Sequence, residues 1–200
     1  MTRFGLFATA LLLIAGAAVA APVQYTLDPG HTQVIASWSH FGFSHPAARF
    51  HGVTSDFQFD PVDPTKSSIV VTIPIDKIDS GVPKLDEHLK SPDFFDAKQF
   101  PTALFKSERV ERSGADGLKV SGQFTLHGIT RPLVLDVTIN KIGEHPMGGL
   151  AAGFDAKATI KRSDYGITKY VPNVSDEIAI AITTESTPAK PAVAEAGAKQ

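Results

Sequence analysis

Apolar and polar residues alternate one by one along much of this 200-residue chain, and this period of two constrains the fold more than any other feature. Residues 118–126 read LKVSGQFTL, and the alternation returns at 69–75, 133–140, 150–160 and 178–182. Such a period places every second side chain on the same face of a β-strand. Each strand then has one dry face and one wet face, which is typical of antiparallel sheets.

Turn residues and one helical pattern complete the prediction of the fold. Clusters of Pro, Gly, Asn and Asp separate further predicted strands at 24–27, 31–43, 48–60 and 103–111. The only helical pattern lies at 82–98, and because Pro92 interrupts it we expect two short turns of helix. About eight one-sided strands with so little helix must close on themselves or pack against a second sheet. We predict an all-β antiparallel barrel with one short helical loop segment, since closure leaves no exposed edge.

The two ends of the chain differ in composition from its middle. Residues 1–20 combine Arg3, an uncharged apolar run and a small-residue sequence, AVA, at 18–20, which is the pattern of a cleaved secretory signal. A membrane anchor is the alternative, but no basic stop follows the apolar run. We therefore expect cleavage near Ala20 and a periplasmic or secreted protein. Residues 186–200 are rich in Ala and Pro and predict a disordered tail, which leaves 21–185 as one barrel domain.

The composition excludes several functional classes. The absence of Cys excludes a thiolate nucleophile, a Cys-bearing zinc site, a cysteine-held iron–sulfur cluster and a disulfide framework. A formal net charge of −2 argues against a nucleic-acid partner. The sequence has no paired acid–base constellation, nucleophile elbow, P-loop or dinucleotide-binding motif. We therefore expect a binding protein without a cofactor rather than an enzyme.

The aromatic residues leave two interpretations of the barrel interior open. The chain has 13 Phe against one Trp and three Tyr, which indicates an interior with little need for hydrogen bonds. An eight-stranded barrel roughly 25 Å tall is either just filled by side chains or just wide enough for a slender ligand. The alternation of apolar and polar residues is the same in both cases.

Several motifs, found in order along the chain, resemble those of the YceI-like polyisoprenoid-binding family. They are DPGHTQV at 28–34, SHFGF at 39–43, DEHLKSPDFFD at 86–96, FPTALFKS at 100–107, GQFTLHGITRP at 122–132, RSDYGI at 162–167 and VSDE at 174–177. The segment 86–96 is the most specific; Thr32 stands where the family usually has Ser, which keeps a hydroxyl. The resemblance implies a lipocalin-like barrel, exported to the periplasm. It also implies a long isoprenoid lipid, such as a polyprenyl phosphate or an isoprenoid quinone, held in an apolar pore for transport, storage or sequestration.

The residues predicted to contact such a lipid are mostly aromatic. Phe94 and Phe95 fall in the partly helical loop and serve either as a lid or as a plug. Arg131 and Arg162 lie near strand ends, where a guanidinium either holds the lipid head group or makes a surface ion pair or loop-ordering hydrogen bond. The full set of predicted ligand-binding residues is Trp38, His40, Phe41, Phe43, Phe94, Phe95, Phe105, Phe124, Arg131, Phe154 and Arg162.

Two alternatives accompany this hypothesis. His31, His40, His45 and His51 lie close in sequence, and imidazole is a common metal ligand, but their spacing repeats no known ligand pattern. We therefore expect structural or pocket-rim roles for them and no metal site. The alternative function is a filled barrel that acts through its surface in envelope stress or membrane redox systems. In either case the chain is a monomer or a homodimer, with transient membrane contact left open.

Overall fold

The computed structural model describes residues 21–190. The predicted signal peptide and most of the predicted tail lie outside these residues. The strands are β1 Val23–Leu27, β2 Gln33–Ser37, β3 Ala47–Phe50, β4 Thr54–Phe59, β5 Ser68–Pro74, β6 Ile78–Asp79, β7 Thr102–Arg112, β8 Gly117–Leu126, β9 Ile129–Glu144, β10 Leu150–Lys161 and β11 Glu177–Pro188. The α-helix α1 spans Pro83–Lys90, and short 3₁₀ turns occupy Pro64–Lys66, Ile75–Lys77 and Arg162–Tyr165.

These strands form one closed antiparallel barrel. Its order is β1-β4-β5-β7-β8-β9-β10-β11, and β1 pairs back onto β11. Each strand position around the barrel is here called a stave. Three staves consist of two short strands in line: β1 with β2, β4 with β3, and β5 with β6. Counted by staves the barrel therefore has eight members. The predicted all-β barrel with a short helical segment is confirmed.

β11 closes the barrel, because it joins the last strands to the first. One of its edges pairs with β10 over residues 177–186, whereas the other edge pairs with β1 and β2, which lie end to end. Ser186 stands opposite Leu27 and Ala152 in this pairing and is fully buried, at 0% exposure. The strand therefore extends to Pro188, so the first three residues of the predicted tail, 186–188, belong to the barrel. The polar sequence Ser-Thr-Pro hides this pairing, because it has neither apolar alternation nor high strand propensity.

Two other predicted strands are shorter than expected. The stave predicted at 31–43 ends at Ser37, because residues 40–44 form a tight turn in which the His40 N–H donates to the Ser44 carbonyl at 2.9 Å. The one predicted at 48–60 is divided between β3 and β4 by Gly52, whose φ is +68°. A left-handed residue breaks the extended backbone, so the chain bends there.

The helical segment forms one helix rather than two. Pro83 occupies its first turn, where the missing N–H is not needed, and Ser91 ends it by donating its hydroxyl to the His88 carbonyl at 2.7 Å. Residues 91–99 continue as successive turns. Pro92 accounts for the loss of the second helix, because it lacks the N–H that a helix requires. Leu89 is the buried residue of α1.

Side chains that point inward form two packed groups. On β10, Ala152, Phe154 and Ala156 are buried, while the alternate residues are more exposed. One group, here called the aromatic plug, consists of Tyr25, Phe57, Phe59 and Phe154, with Ala152 beside them. The ring centroid of Phe59 lies 5.1 Å from that of Tyr25 and 5.3 Å from that of Phe154. The larger group lines the rest of the barrel and reaches α1.

Gly122→Ala is expected to destabilise the barrel by about 2 kcal/mol. Gly122 faces inward on β8, beside the register shift in β7, and a Cβ there would collide with the Lys106 carbonyl oxygen and the Phe105 ring. Gly153→Ala is the matched control, since Gly153 also lies beside a register shift but its Cβ would meet nothing nearer than 3.8 Å. Urea denaturation measures both variants. Equal losses of stability in the two would contradict the steric explanation.

Candidate ligand cavity

The barrel encloses a cavity of about 360 Å³. Residues from every stave line it, and almost all of them are apolar. They include Val34, Ala36, Ala48, Phe50, Val53, Ile69, Val71, Ile73, Ala103, Phe105, Val120, Phe124, Leu133, Leu135, Val137, Ala156, Ile160, Ile178, Ile180 and Ile182. The interior is therefore not filled by its own phenylalanines, which resolves the alternative that the sequence left open.

The aromatic plug closes one end of this cavity. Phe57, Phe59 and Phe154 belong both to the plug and to the cavity wall, and each is at most 8% exposed. Near this end the hydroxyls of Thr32 and Thr184, which also line the cavity, lie 2.7 Å apart and hydrogen-bond to each other. A ligand entering the barrel from the opposite end meets a dry apolar wall here.

The segment that contains α1 covers much of the opposite end. Leu85 and Leu89 from the helix, and Phe94 and Phe95 from the turns after it, line the cavity. The Phe95 ring packs edge-on against Phe50 at 6.1 Å. Phe94 and Phe95 thus cover the end of the cavity opposite the aromatic plug, a position that fits both the lid and the plug predicted for this pair.

His40, His88 and Tyr170 form the mouth of the cavity. All three line it, and His40 and Tyr170 are also exposed to solvent. The His88 ring lies 4.8 Å from that of Phe94 and 6.3 Å from that of Tyr170, so these side chains form a continuous aromatic edge. Imidazole and phenol groups here can donate hydrogen bonds to a head group while the cavity holds an apolar tail.

Arg162 lies in the cavity wall below this mouth and is 5% exposed. Its guanidinium donates to the carbonyl oxygens of Ser175, Ile167 and Val174 at 2.9 to 3.0 Å. Burial lowers the pKa of the guanidinium, and the charge of Asp176 opposes that shift. The side chain therefore fixes the loop 166–176 against the barrel, which is the loop-ordering alternative stated for Arg162.

Most residues predicted to bind ligand line the cavity: Trp38, His40, Phe94, Phe95, Phe105, Phe124, Phe154 and Arg162. Phe41, Phe43 and Arg131 lie outside the cavity wall and are exposed. Phe41 and Phe43 belong to the turn at 40–44, where the alternation of an extended strand does not apply. Arg131 stands near the start of β9, where its charge remains in solvent. Ligand contact stays a prediction for the residues that line the cavity.

The sequence reasoning missed two residues of the mouth, His88 and Tyr170. His88 lies within the most specific motif, DEHLKSPDFFD, and one helical turn from Leu85, a spacing that places both on the same face of α1. That spacing was a usable signal. Tyr170 lies in a loop without periodicity, and only the fold of that loop brings it to the mouth.

The four clustered histidines do not form one site. His40 lines the cavity, His51 lies 3.6 Å from Asp79, and His31 lies 2.9 Å from Asp28. Within residues 21–190, the ligating atoms of Asp28, His31 and Glu185 come within 4.8 Å of one another on the outside of the barrel. The Gly30 N–H and the His31 ring already engage both carboxylate oxygens of Asp28, so an ordinary turn accounts for this arrangement.

An ion pair beside Tyr170, at the mouth of the cavity, shifts the pKa of a carboxyl group. A hydrogen bond from Lys169, whose Nζ lies 3.2 Å from Asp93, together with its positive charge, lowers the pKa of Asp93. A carboxylate whose pKa is lower in the folded state than in the unfolded state stabilises the fold when the pH is above the unfolded-state pKa. This stabilisation is lost as the pH falls through the folded-state pKa.

Lys169→Met is therefore expected to raise the pKa of Asp93 toward 3.8, as followed by carboxyl NMR. Lys66→Met, which removes the partner of Asp63 elsewhere, is the control. An unchanged Asp93 titration in the Lys169 variant would contradict this ion pair.

The comparisons with known proteins agree with this architecture. The YceI-like domain matches residues 25–186. The chain belongs to the YceI-like family. A UPF0312 protein of Serratia proteamaculans is 35% identical over 189 residues, which cover 94% of this chain and 98% of the relative. The sequence resemblance is thereby confirmed.

Solved structures show the same barrel. The YceI protein of Campylobacter jejuni superposes with a TM-score of 0.70 at 28% identity, over 76% of this chain and 90% of that one. A polyisoprenoid-binding domain from Saccharophagus degradans superposes with a TM-score of 0.62 at 12% identity, over 84% of this chain and 99% of that one. This last likeness concerns the fold. Among residues 21–190 of this YceI-like chain, the structure contains no helix with the length and apolarity needed to cross a bilayer.

Proposed function

We propose that this protein holds a long isoprenoid lipid in its barrel and carries, stores or sequesters it outside the cytoplasm. The observation that supports this most directly is the apolar cavity, closed by the aromatic plug at one end and reaching the surface at His40 and Tyr170. The structural neighbour from Saccharophagus degradans is described as a polyisoprenoid-binding domain, which adds support. The proposal is of a binding protein rather than an enzyme.

The chemistry of the cavity suits an isoprenoid tail. Removing one five-carbon isoprene unit from water is favourable by on the order of 4 kcal/mol, at about 0.8 kcal/mol per methylene-sized group. The volume of about 360 Å³ is at the lower end of the range for small-molecule sites. A slender chain of linked isoprene units fits such a space better than a bulky ring system. The costs of association reduce the gain, so the affinity stays well below the sum over units.

The charges at the mouth favour an uncharged head group, such as that of an isoprenoid quinone, over a polyprenyl phosphate. Three N–H groups of Arg162 are engaged by backbone carbonyls, and Lys169 is paired with Asp93. A phosphate would enter a mouth whose nearest cations are already committed, and it would meet the Asp93 carboxylate. The Tyr170 hydroxyl can instead donate a hydrogen bond to a neutral carbonyl oxygen.

We further propose that the protein is exported to the periplasm, on the composition of residues 1–20. The alternative function, a filled barrel acting through its surface, loses its premise because the interior holds a cavity. Export and lipid carriage fit together, since a lipid that is nearly insoluble in water needs a carrier wherever it must leave a membrane.

The proposal is tested by mass spectrometry of organic extracts from gently purified full-length protein. We expect an isoprenoid lipid at up to one molecule per chain. Empty preparations are then mixed with an isoprenoid quinone in detergent, and binding is followed by quenching of Trp38, which lines the cavity. A polyprenyl phosphate of equal tail length tests the head group and is expected to bind more weakly. Protein that is repeatedly empty and takes up neither lipid would overturn the proposal.

A further inference from the structure

The mouth of the cavity carries an exposed group of aromatic side chains, Phe41, Phe43 and Tyr170, here called the aromatic rim. Phe43 is 93% exposed, and Phe41 and Tyr170 are about half exposed. Large apolar side chains exposed together usually mark a surface that contacts another molecule. These three stand beside the opening through which a cavity ligand would pass.

Backbone contacts hold the rim together. The Phe41 N–H donates to the Asn173 carbonyl at 2.8 Å, and His40 forms a β-bridge with Val174. The Val174 N–H in turn donates to the Tyr170 carbonyl at 2.9 Å. The turn at 40–44 and the loop at 170–174 therefore form one fixed unit rather than two independent loops.

The same unit holds Phe41 and Tyr170 in place at a conformational cost. Phe41 and Tyr170 have φ values of +53° and +63°, a region that non-glycine residues rarely adopt. Such strain persists only where the surrounding contacts impose it, and it is concentrated at functional sites. The left-handed Gly42 between Phe41 and Phe43 completes the turn that projects Phe43 into solvent.

The rim is continuous with the cavity. The Phe41 ring packs edge-on against His40 at 4.8 Å, and His40 lines the cavity. Tyr170 belongs to both the rim and the cavity wall. A lipid that leaves a bilayer beneath this rim would move from the apolar interior of the bilayer into the apolar cavity without crossing water.

We propose that the aromatic rim docks the protein on the surface of a lipid bilayer and places the cavity mouth against it. This inference rests on the proposed function, because a bilayer is where a water-insoluble isoprenoid resides. Phe and Tyr side chains suit the boundary between head groups and acyl chains. Beside the rim, the positive charge of Lys169 is paired with Asp93, so we expect docking to depend mainly on apolar insertion and only weakly on ionic strength.

The test measures uptake of an isoprenoid quinone by the full-length protein from phosphatidylcholine vesicles. Phe43→Ser is expected to slow uptake about tenfold, since a well-exposed Phe no longer inserts into the bilayer. Met147→Ser is the matched control, because Met147 is 88% exposed on the hairpin between β9 and β10, at the plugged end of the barrel. That variant is expected to take up quinone at the wild-type rate.

Equilibrium binding of quinone from detergent separates the two proposals. We expect Phe43→Ser to bind detergent-delivered quinone as tightly as the wild type, because Phe43 lies outside the cavity. Equal uptake rates for the two variants, or a wild-type protein that never sediments with vesicles, would overturn membrane docking. A rim that instead joins two copies would appear as a wild-type dimer that Phe43→Ser converts to a monomer. Failure of the proposed function alone would leave vesicle sedimentation intact without any quinone binding.

Discussion

Ala156→Phe is expected to weaken lipid binding at least about a hundredfold while leaving the barrel folded. Ala156 points into the cavity from the middle of β10, between Val137 and Ile182, which also line it. A phenyl ring there takes the place of roughly one isoprene unit, whose burial is worth on the order of 4 kcal/mol before association costs. Quenching of Trp38 by added quinone measures the loss.

The stability of the same variant tests whether the space is open. In a filled core, extra methylene groups cost about 1–3 kcal/mol through strain. In an open cavity the ring occupies free space, so the free energy of unfolding should change by less than about 1 kcal/mol. Ala181→Phe is the matched control, since Ala181 lies on the outer face of the neighbouring strand, opposite Lys157. It should leave binding unchanged. Tight lipid binding by the Ala156 variant would show that the ligand lies elsewhere.

Arg162→Met is expected to lower the free energy of unfolding by about 3–5 kcal/mol. The guanidinium donates to three carbonyl oxygens at once, and its removal leaves those carbonyls without the partner that holds residues 166–176 in place. Arg162→Lys should rescue only part of the loss, because an ammonium group lacks the planar fork that meets carbonyls in three directions.

Arg131→Met provides the comparison, since Arg131 is exposed at the barrel surface. Its effect on stability should stay within about 0.5 kcal/mol. Urea denaturation of the three variants gives the ranking directly. Similar losses for Arg162→Met and Arg131→Met would show that the carbonyl contacts do not stabilise the loop.

The alternation of residues, together with the argument that closure leaves no exposed edge, predicted the closed barrel. On β8, Leu118, Val120 and Phe124 point inward and are buried, as the period of two requires. The same pattern could not predict whether the interior is filled. That depends on how far opposite staves stand apart, which is set by closure and not by any single strand.

The alternation of apolar and polar residues could not predict where strands end or which loops contact each other. The apolar residues of SHFGF fall at odd positions, whereas those that line the cavity from the preceding strand fall at even positions. Phe41 there adopts a left-handed backbone and donates its N–H to the carbonyl of Asn173, in the loop at 170–174. The role of Arg162 likewise depends on carbonyls 5 to 13 residues away in the chain. Contacts of this kind arise from the folded loop and have no local signature.

The position of β11 has a consequence for how the molecule is made. Because this final strand pairs with β10 on one side and with the first two strands on the other, the cylinder stays an open sheet until its carboxyl-terminal residues have been synthesised. Pairing between the beginning and the end of a chain is slow to form. The enclosed cavity therefore forms only after β11 has been synthesised and is free to pair with both of its neighbours.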